Sequence, residues 1–159
     1  MVIIINGSRN AGKTTTANLL AKELNKTAHI EVDVFRWFLP RLNLEQTIPF
    51  NLENAVLVAN NLLKKKFNVI LNYCLREKDH AYLIRHLKIS KNKIYTVTLK
   101  PDLKTALSYR GRKLTHGDKK RINEQYGKGQ HSLPEIGVVI NTTGKSLTQV
   151  VKIILATIK

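Results

Sequence analysis

The chain has 159 residues, 43% of them hydrophobic, with 27 Lys and Arg against 11 Asp and Glu, a formal charge of +16. That length fits one globular domain with its own core, so no disulfide or structural metal is required, and the single cysteine, Cys74, excludes a disulfide framework. The charge predicts a surface that attracts polyanions such as nucleotides, nucleic acid or phosphorylated metabolites, without naming one.

Residues 2–6 are a short apolar run that stops at Asn6-Gly7, too early for a signal peptide or a membrane span. The run reads as a strand buried on both faces of a parallel sheet. From Lys13 the spacing turns helical, with Ala17, Leu20, Ala21 and Leu24 on one face, and the helix is expected to stop near Asn25. His29 to Asp33 reads as a second strand with Asp33 at its carboxyl end, followed by a short helix that Pro40 closes. Glu53 to Lys65 is a helix by its apolar spacing, and Val69 to Asn72 a third buried strand. In that run Cys74 reads as a buried, inert thiol compatible with a reducing cytoplasm.

Lys78 to Leu87 is helical, and the β-branched run Ile94 to Leu99 is a fourth strand closed by Pro101. Asp102 caps a helix running to about Tyr109. The stretch from Gly111 to Ser132 is polar, basic and glycine-punctuated, with a helix around Lys119 to Tyr126, and reads as part of a lid over about residues 110–132. Val138 to Asn141 is the last strand, and a helix follows from Ser146. Alternating strands and helices predict an α/β fold, a parallel sheet with helices on both faces, in which right-handed crossovers bring the strand ends and any ligand to one edge.

The segment Gly7-Ser8-Arg9-Asn10-Ala11-Gly12-Lys13-Thr14 carries the sharpest chemistry. The glycines let backbone N–H groups close on phosphate oxygens, Lys13 reaches the terminal phosphates, and Thr14 offers a hydroxyl to magnesium. The helix that opens here adds its positive dipole end. Thr15 extends the expected nucleotide contacts. A strand before the loop and an amphipathic helix after it are the context that distinguishes a phosphate loop from a chance glycine turn. Asn25-Lys26 and Asn92-Lys93 both lack the aspartate of a guanine-reading motif, which argues against a GTPase switch.

Asp33 is the candidate base for an acceptor hydroxyl, or a ligand that helps hold magnesium through water. Arg36, three residues on, is placed for an anionic or polyhydroxyl acceptor, with a solvated surface role as the alternative. Phe35, Trp37 and Phe38 form an aromatic cluster expected mainly in the core, with Trp37 the ring assigned to the acceptor pocket. Glu31 and His29 are read as structural. Arg110 and Arg112 are the lid arginines expected to stabilise charge on a moving phosphoryl group, Arg121 being held in reserve, and such an arginine can also stack on adenine. His131 is expected on a loop surface.

These residues resemble the small P-loop kinases of the shikimate kinase and chloramphenicol phosphotransferase group. The phosphate loop matches throughout, the stretch from Val32 to Pro40 is similar to the substrate segment of the phosphotransferases, and Arg110-Gly111-Arg112, Gln125 to His131 and Val139 to Thr143 resemble their lid, histidine loop and final strand. The resemblance implies a three-layer α/β/α P-loop NTPase fold with a five-stranded parallel sheet in order 2-3-1-4-5. It also implies ATP with magnesium, a hydroxyl acceptor, and an adenine bordered by the turn that contains Thr143. Asn72 and Asn141 stand where many relatives carry aspartate, so the third strand supplies no carboxylate to the metal.

Three functions follow as expectations. The first is an ATP-dependent kinase of a small hydroxyl compound. A polynucleotide 5′-hydroxyl kinase would make direct use of the charge, although the aromatics cluster before Pro40 instead of interleaving with lysines. The third is a nucleotide-binding module without transfer.

Overall fold

The computed structural model describes residues 1–129 and 131–158. Five parallel strands form its centre: β1 (Val2–Gly7), β2 (Thr27–Glu31), β3 (Asn68–Asn72), β4 (Ile94–Leu99) and β5 (Val138–Ile140). Their order is β2-β3-β1-β4-β5, as the resemblance implied. Six α-helices accompany them: α1 (Lys13–Glu23), α2 (Leu44–Lys64), α3 (Glu77–His86), α4 (Leu103–Leu107), α5 (His116–Tyr126) and α6 (Leu147–Thr157).

The unbroken apolar run of β1 is explained by its central place between β3 and β4. Successive side chains of a strand face opposite sides. Val2 and Ile4 therefore join Val69 and Leu71 in a core beneath α2 and α3, which contribute Leu52, Ala55, Val56 and Leu83. Ile3 and Ile5 join Ile70 and Val97 in a second core, closed by Ala17 and Leu20 of α1 and Val150, Val151 and Ile154 of α6. Val2 to Ile5 are wholly buried, and each such side chain contributes about 1.5–3 kcal/mol relative to exposure. No helix among the described residues is long and apolar enough to cross a membrane.

Several expectations are corrected. The second strand stops at Glu31, and Asp33 sits in a 3-10 helix, Val32–Phe38, instead of at a strand tip. The helix expected from Glu53 begins at Leu44, because Asn43 and Gln46 form a reciprocal cap with hydrogen bonds of 3.0 and 3.1 Å. Pro49 lies inside that helix, where it removes one backbone donor without ending it. Trp37 and Phe38 are 72% and 70% exposed, and within the aromatic cluster only Phe35 packs on the core. Likewise α5 starts at His116, capped by Thr115 and Asp118, and α4 ends at Leu107, short of Tyr109.

The parallel topology sends the carboxyl ends of all five strands to one edge. The phosphate loop leaves β1 there, Asp33 follows β2, Tyr73 and Cys74 follow β3, and Thr142 follows β5.

Candidate active site

The loop after β1 is held from below and from both sides. At Gly7 φ is +152°, and a Cβ would stand 2.7 Å from the Leu99 carbonyl oxygen, so only glycine lets β1 turn so close to β4. Gly12, at φ +92°, lies under the Arg110 guanidinium. Within the loop Ala11 N–H donates to Ser8 O at 3.2 Å, and the Lys13 ammonium donates to the same carbonyl at 2.8 Å. Gln125 Oε1 accepts from Arg9 N–H at 2.7 Å, and the Asn10 amide donates to Ala106 O and Ser108 O at 2.8 and 3.1 Å. Buried Asn6 ties the root of the loop to its surroundings. Its amide donates to Thr98 Oγ1 and Pro134 O, and its carbonyl accepts from Leu75 N–H.

A cleft of about 570 Å³ opens over this loop and continues past Asp33, Arg36 and Tyr73. The loop from Arg9 to Thr15 lines it, as do Asp33, Arg36, Arg110 and Arg112. Gly7 and buried Ser8, also expected at the nucleotide, do not line it. Two further expected contacts lie elsewhere. Trp37 stands outside the lining with Arg36 over its ring at 5.4 Å, and Thr143 Oγ1 accepts from Asp102 N–H at 2.7 Å. Its neighbour Thr142 lines the cleft instead, buried and with its Oγ1 unpartnered.

On the acceptor side, Thr14 Oγ1 donates to Glu31 Oε1 at 2.9 Å, and the Asn72 amide reaches Thr14 Oγ1 at 3.4 Å. Glu31 and Asn72 are register partners on β2 and β3, so this meeting is built into the sheet. His29 orients Asn72, bonding its Oδ1 through Nε2 and Asn18 Oδ1 through Nδ1. Burial raises the Asp33 carboxyl above its ordinary range, while Lys13 and Arg36 pull it back. Burial, with the Asp33 charge adding to it, likewise raises the Tyr73 hydroxyl. Cys74 is not the buried, isolated thiol expected from its apolar run: it is half-buried, lines the cleft, and takes the Lys13 ammonium at 3.2 Å.

The basic segment is anchored through a carboxylate that sequence reading passed over. Asp118 meets Arg9 at 2.6 Å and Arg112 at 3.5 Å, and it accepts from Thr115 N–H at 3.0 Å. The Thr115 donor, with both arginines adding to it, holds the Asp118 carboxyl below its ordinary range. Arg110 docks on the loop itself, donating to Asn10 O at 3.1 Å. Arg121 lines the cleft and pairs with Glu124, His131 is exposed, and Gln130 lies outside the described residues. Glu31 and Asp118 carried no signal in the sequence beyond their charge, and Gln125 only its place at the start of the histidine-loop resemblance, since only the sheet and α5 bring them to the loop.

These features fit a nucleoside triphosphate. Glycines stand where a Cβ would crowd the loop, an unpartnered threonine hydroxyl faces the cleft, and cations flank it. For magnesium, no cluster of three or more His, Cys, Asp or Glu side chains able to hold a metal occurs among the described residues. The grouping of Thr14, Glu31 and Asp33 suits a partly hydrated magnesium shared with phosphate oxygens, which needs only one or two carboxylates.

Sheet order, glycine-lysine-threonine loop and flanking helices define a P-loop kinase-like fold. Residues 1–116 match the family model described as zeta toxin, and the chain belongs to that family. No curated protein matches the sequence. Among solved structures, a sugar kinase from Janibacter sp. HTCC2649 is similar with a TM-score of 0.69 at 15% identity, over 98% of this chain and 92% of that one. The Deinococcus radiodurans tunicamycin resistance protein is similar at 0.67 and 22% identity, over 99% and 94%. The Mycobacterium tuberculosis APS kinase, in complex with AMPPNP and APS, is similar at 0.64 and 16%, over 98% and 95%.

Proposed function

We propose that this chain is an ATP-dependent phosphotransferase that moves the γ-phosphoryl group to a hydroxyl of a small acceptor bound between Asp33 and Arg36. The observation that carries the reading is Asp33 itself, a desolvated carboxylate in the same cleft as Lys13 of the phosphate loop. A base that takes a hydroxyl proton works best when its pKa is raised toward the working pH.

In the proposed step the acceptor O–H gives its proton to the Asp33 carboxylate as the oxygen attacks the γ-phosphorus. The bond from that phosphorus to the β–γ bridging oxygen breaks, and its electron pair leaves with ADP. Lys13 holds the terminal phosphate oxygens, and Arg110 and Arg112, carried by residues 110–132 acting as a lid, meet the charge spread over the moving group. With Asp33 as the base, Thr14 and Glu31 would hold magnesium, which would supply charge neutralisation to the phosphates. Because Thr14 gives its proton to Glu31 and accepts only the long Asn72 contact, its oxygen keeps a lone pair free for that ion. Arg36 orients an anionic or hydroxyl-rich acceptor. The kinase names of two structural neighbours agree with the class reached from these residues.

The test is ATP consumption against a panel of sugars, nucleosides, antibiotics and 5′-hydroxyl oligonucleotides, with phosphorus NMR on the product. The expected result is acceptor-stimulated turnover that Asp33→Asn and Lys13→Met each lower by about 10²-fold or more, with ATP binding kept in the first. Tight ATP binding without stimulation by any acceptor would overturn the reading in favour of a nucleotide-binding module.

A further inference from the structure

At the opposite end of the sheet, where the strands begin, a second hollow of about 750 Å³ is lined by Lys64, Lys66, Lys88 and Lys93 and by no carboxylate. Two connections build it, the one from α2 to β3 and the one from α3 to β4. Lys64 ends α2, Lys66 lies in the turn before β3, Lys88 follows α3, and Lys93 immediately precedes β4. The chain carries no Asp or Glu from Ala55 through Arg76, nor from His80 through Pro101, so the charge is not balanced locally. None of the four lysines forms an ion pair among the described residues.

A lysine at a helix C-terminus normally answers the negative dipole end, which accounts for Lys64. Lys66 and Lys93 lie beyond that effect. Lys66 also holds a left-handed backbone at φ 64°, and Lys26, whose ammonium lies over the Phe67 ring of the hollow, does so at φ 50°. Gly or Asn would fit both turns at lower cost. Lys26 uses its charge on that ring, whereas Lys66 stands at its strained position without an ion pair among the described residues.

We infer that this hollow is a second binding site, for the sugar-phosphate backbone of a single-stranded nucleic acid, separate from the cleft at the strand carboxyl ends. The first residues of β2, β3, β1 and β4 lie side by side. At the usual strand spacing they make a row about 14 Å long. A single strand carries one phosphate charge per nucleotide, so a backbone laid along this edge can meet the cluster of four lysines with successive phosphates. Asn61 and Ser90 line the hollow with side chains that make no hydrogen bond among the described residues, leaving them for sugar or base edges. A membrane surface fits less well, since the exposed large apolar side chains, among them Trp37, Phe38 and Leu57, do not line it. The inference does not rest on the proposed phosphoryl transfer.

The experiment is fluorescence anisotropy of a labelled single-stranded oligonucleotide across a salt series, using the full chain. The quadruple variant Lys64→Gln, Lys66→Gln, Lys88→Gln, Lys93→Gln is compared with a charge-matched control, Lys22→Gln, Lys78→Gln, Lys104→Gln, Lys152→Gln. Circular dichroism melting checks that both are folded, and the double variants of each pair replace a quadruple that is not. The expected result is binding by the native chain whose salt slope, in log units, the first variant flattens by about 3, with affinity down by about tenfold or more. The control stays near the native values, and saturating ATP does not displace the oligonucleotide. Equal loss in both variants, displacement by ATP, absence of binding, or lysine-dependent capture of anionic vesicles in place of the oligonucleotide each overturns the inference.

Discussion

Thr14 Oγ1 donates a 2.9 Å hydrogen bond to Glu31 Oε1, joining the first turn of α1 to the last residue of β2. The contact puts a carboxylate beside the phosphate loop although the neighbouring strand ends in Asn72. Glu31→Gln is accordingly expected to raise the magnesium concentration needed for half-maximal ATP turnover, or lower that turnover, by about 10- to 100-fold. Nucleotide binding without metal should persist. A magnesium titration of turnover beside metal-free nucleotide binding checks both halves.

Asp33→Asn is expected to lower phosphoryl transfer by about 10²- to 10⁴-fold, the usual contribution of a positioned base. In the native chain the acid limb of kcat/KM should lie above the ordinary carboxylate value of 3.8, because burial raises Asp33. The same shift has a stability consequence. With the folded pKa above the unfolded one, the native state loses stability as pH rises from 3.8 through the folded pKa. Asp33→Asn should therefore melt higher than the native chain at neutral pH, with the gap closing below the ordinary carboxylate range. Melting curves across pH, set beside the rate profile, test the pair.

Arg110 and Arg112 reach the cleft by different routes, one docked on Asn10 O and the other on Asp118. Replacing either by Ala is expected to reduce kcat by about 10³-fold, as for other arginines that meet phosphoryl charge. Arg36→Ala should instead raise the acceptor KM and leave the ATP KM unchanged. Steady-state kinetics with each substrate varied in turn separates the two patterns.

Gly137 and Gly144 have nearly the same backbone, φ +69° and +68°. A Cβ at Gly137 would fall on the Thr96 carbonyl, whereas one at Gly144 meets nothing within 4 Å. Gly144→Ala is expected to cost about 1 kcal/mol from backbone strain alone. Gly137→Ala should cost more than about 3 kcal/mol, because β4 and the entry to β5 must also part. Urea unfolding of both variants gives the difference directly.

Periodicity and motif spacing by themselves determined the strand-helix alternation, the phosphate loop from Gly7 to Thr14, and the placing of Arg36 after the second strand, though not the end of that strand at Glu31. Such features are local, since a buried central strand must be apolar on both faces and a phosphate loop needs its glycines at set offsets. Tertiary structure alone decided that Glu31, read as structural, meets Thr14, and that Asp118 and Gln125 brace Arg9. It also placed Cys74 against Lys13 and turned Trp37 outward. The start of α2 was hidden for another reason: Pro49 reads as a breaker, while buried Thr47 and Asn51 mask the apolar face. That helix start is set locally by the Asn43–Gln46 cap, whereas the other outcomes depend on strand register and helix docking between segments far apart in the chain, for which side-chain type and spacing carry no local signal.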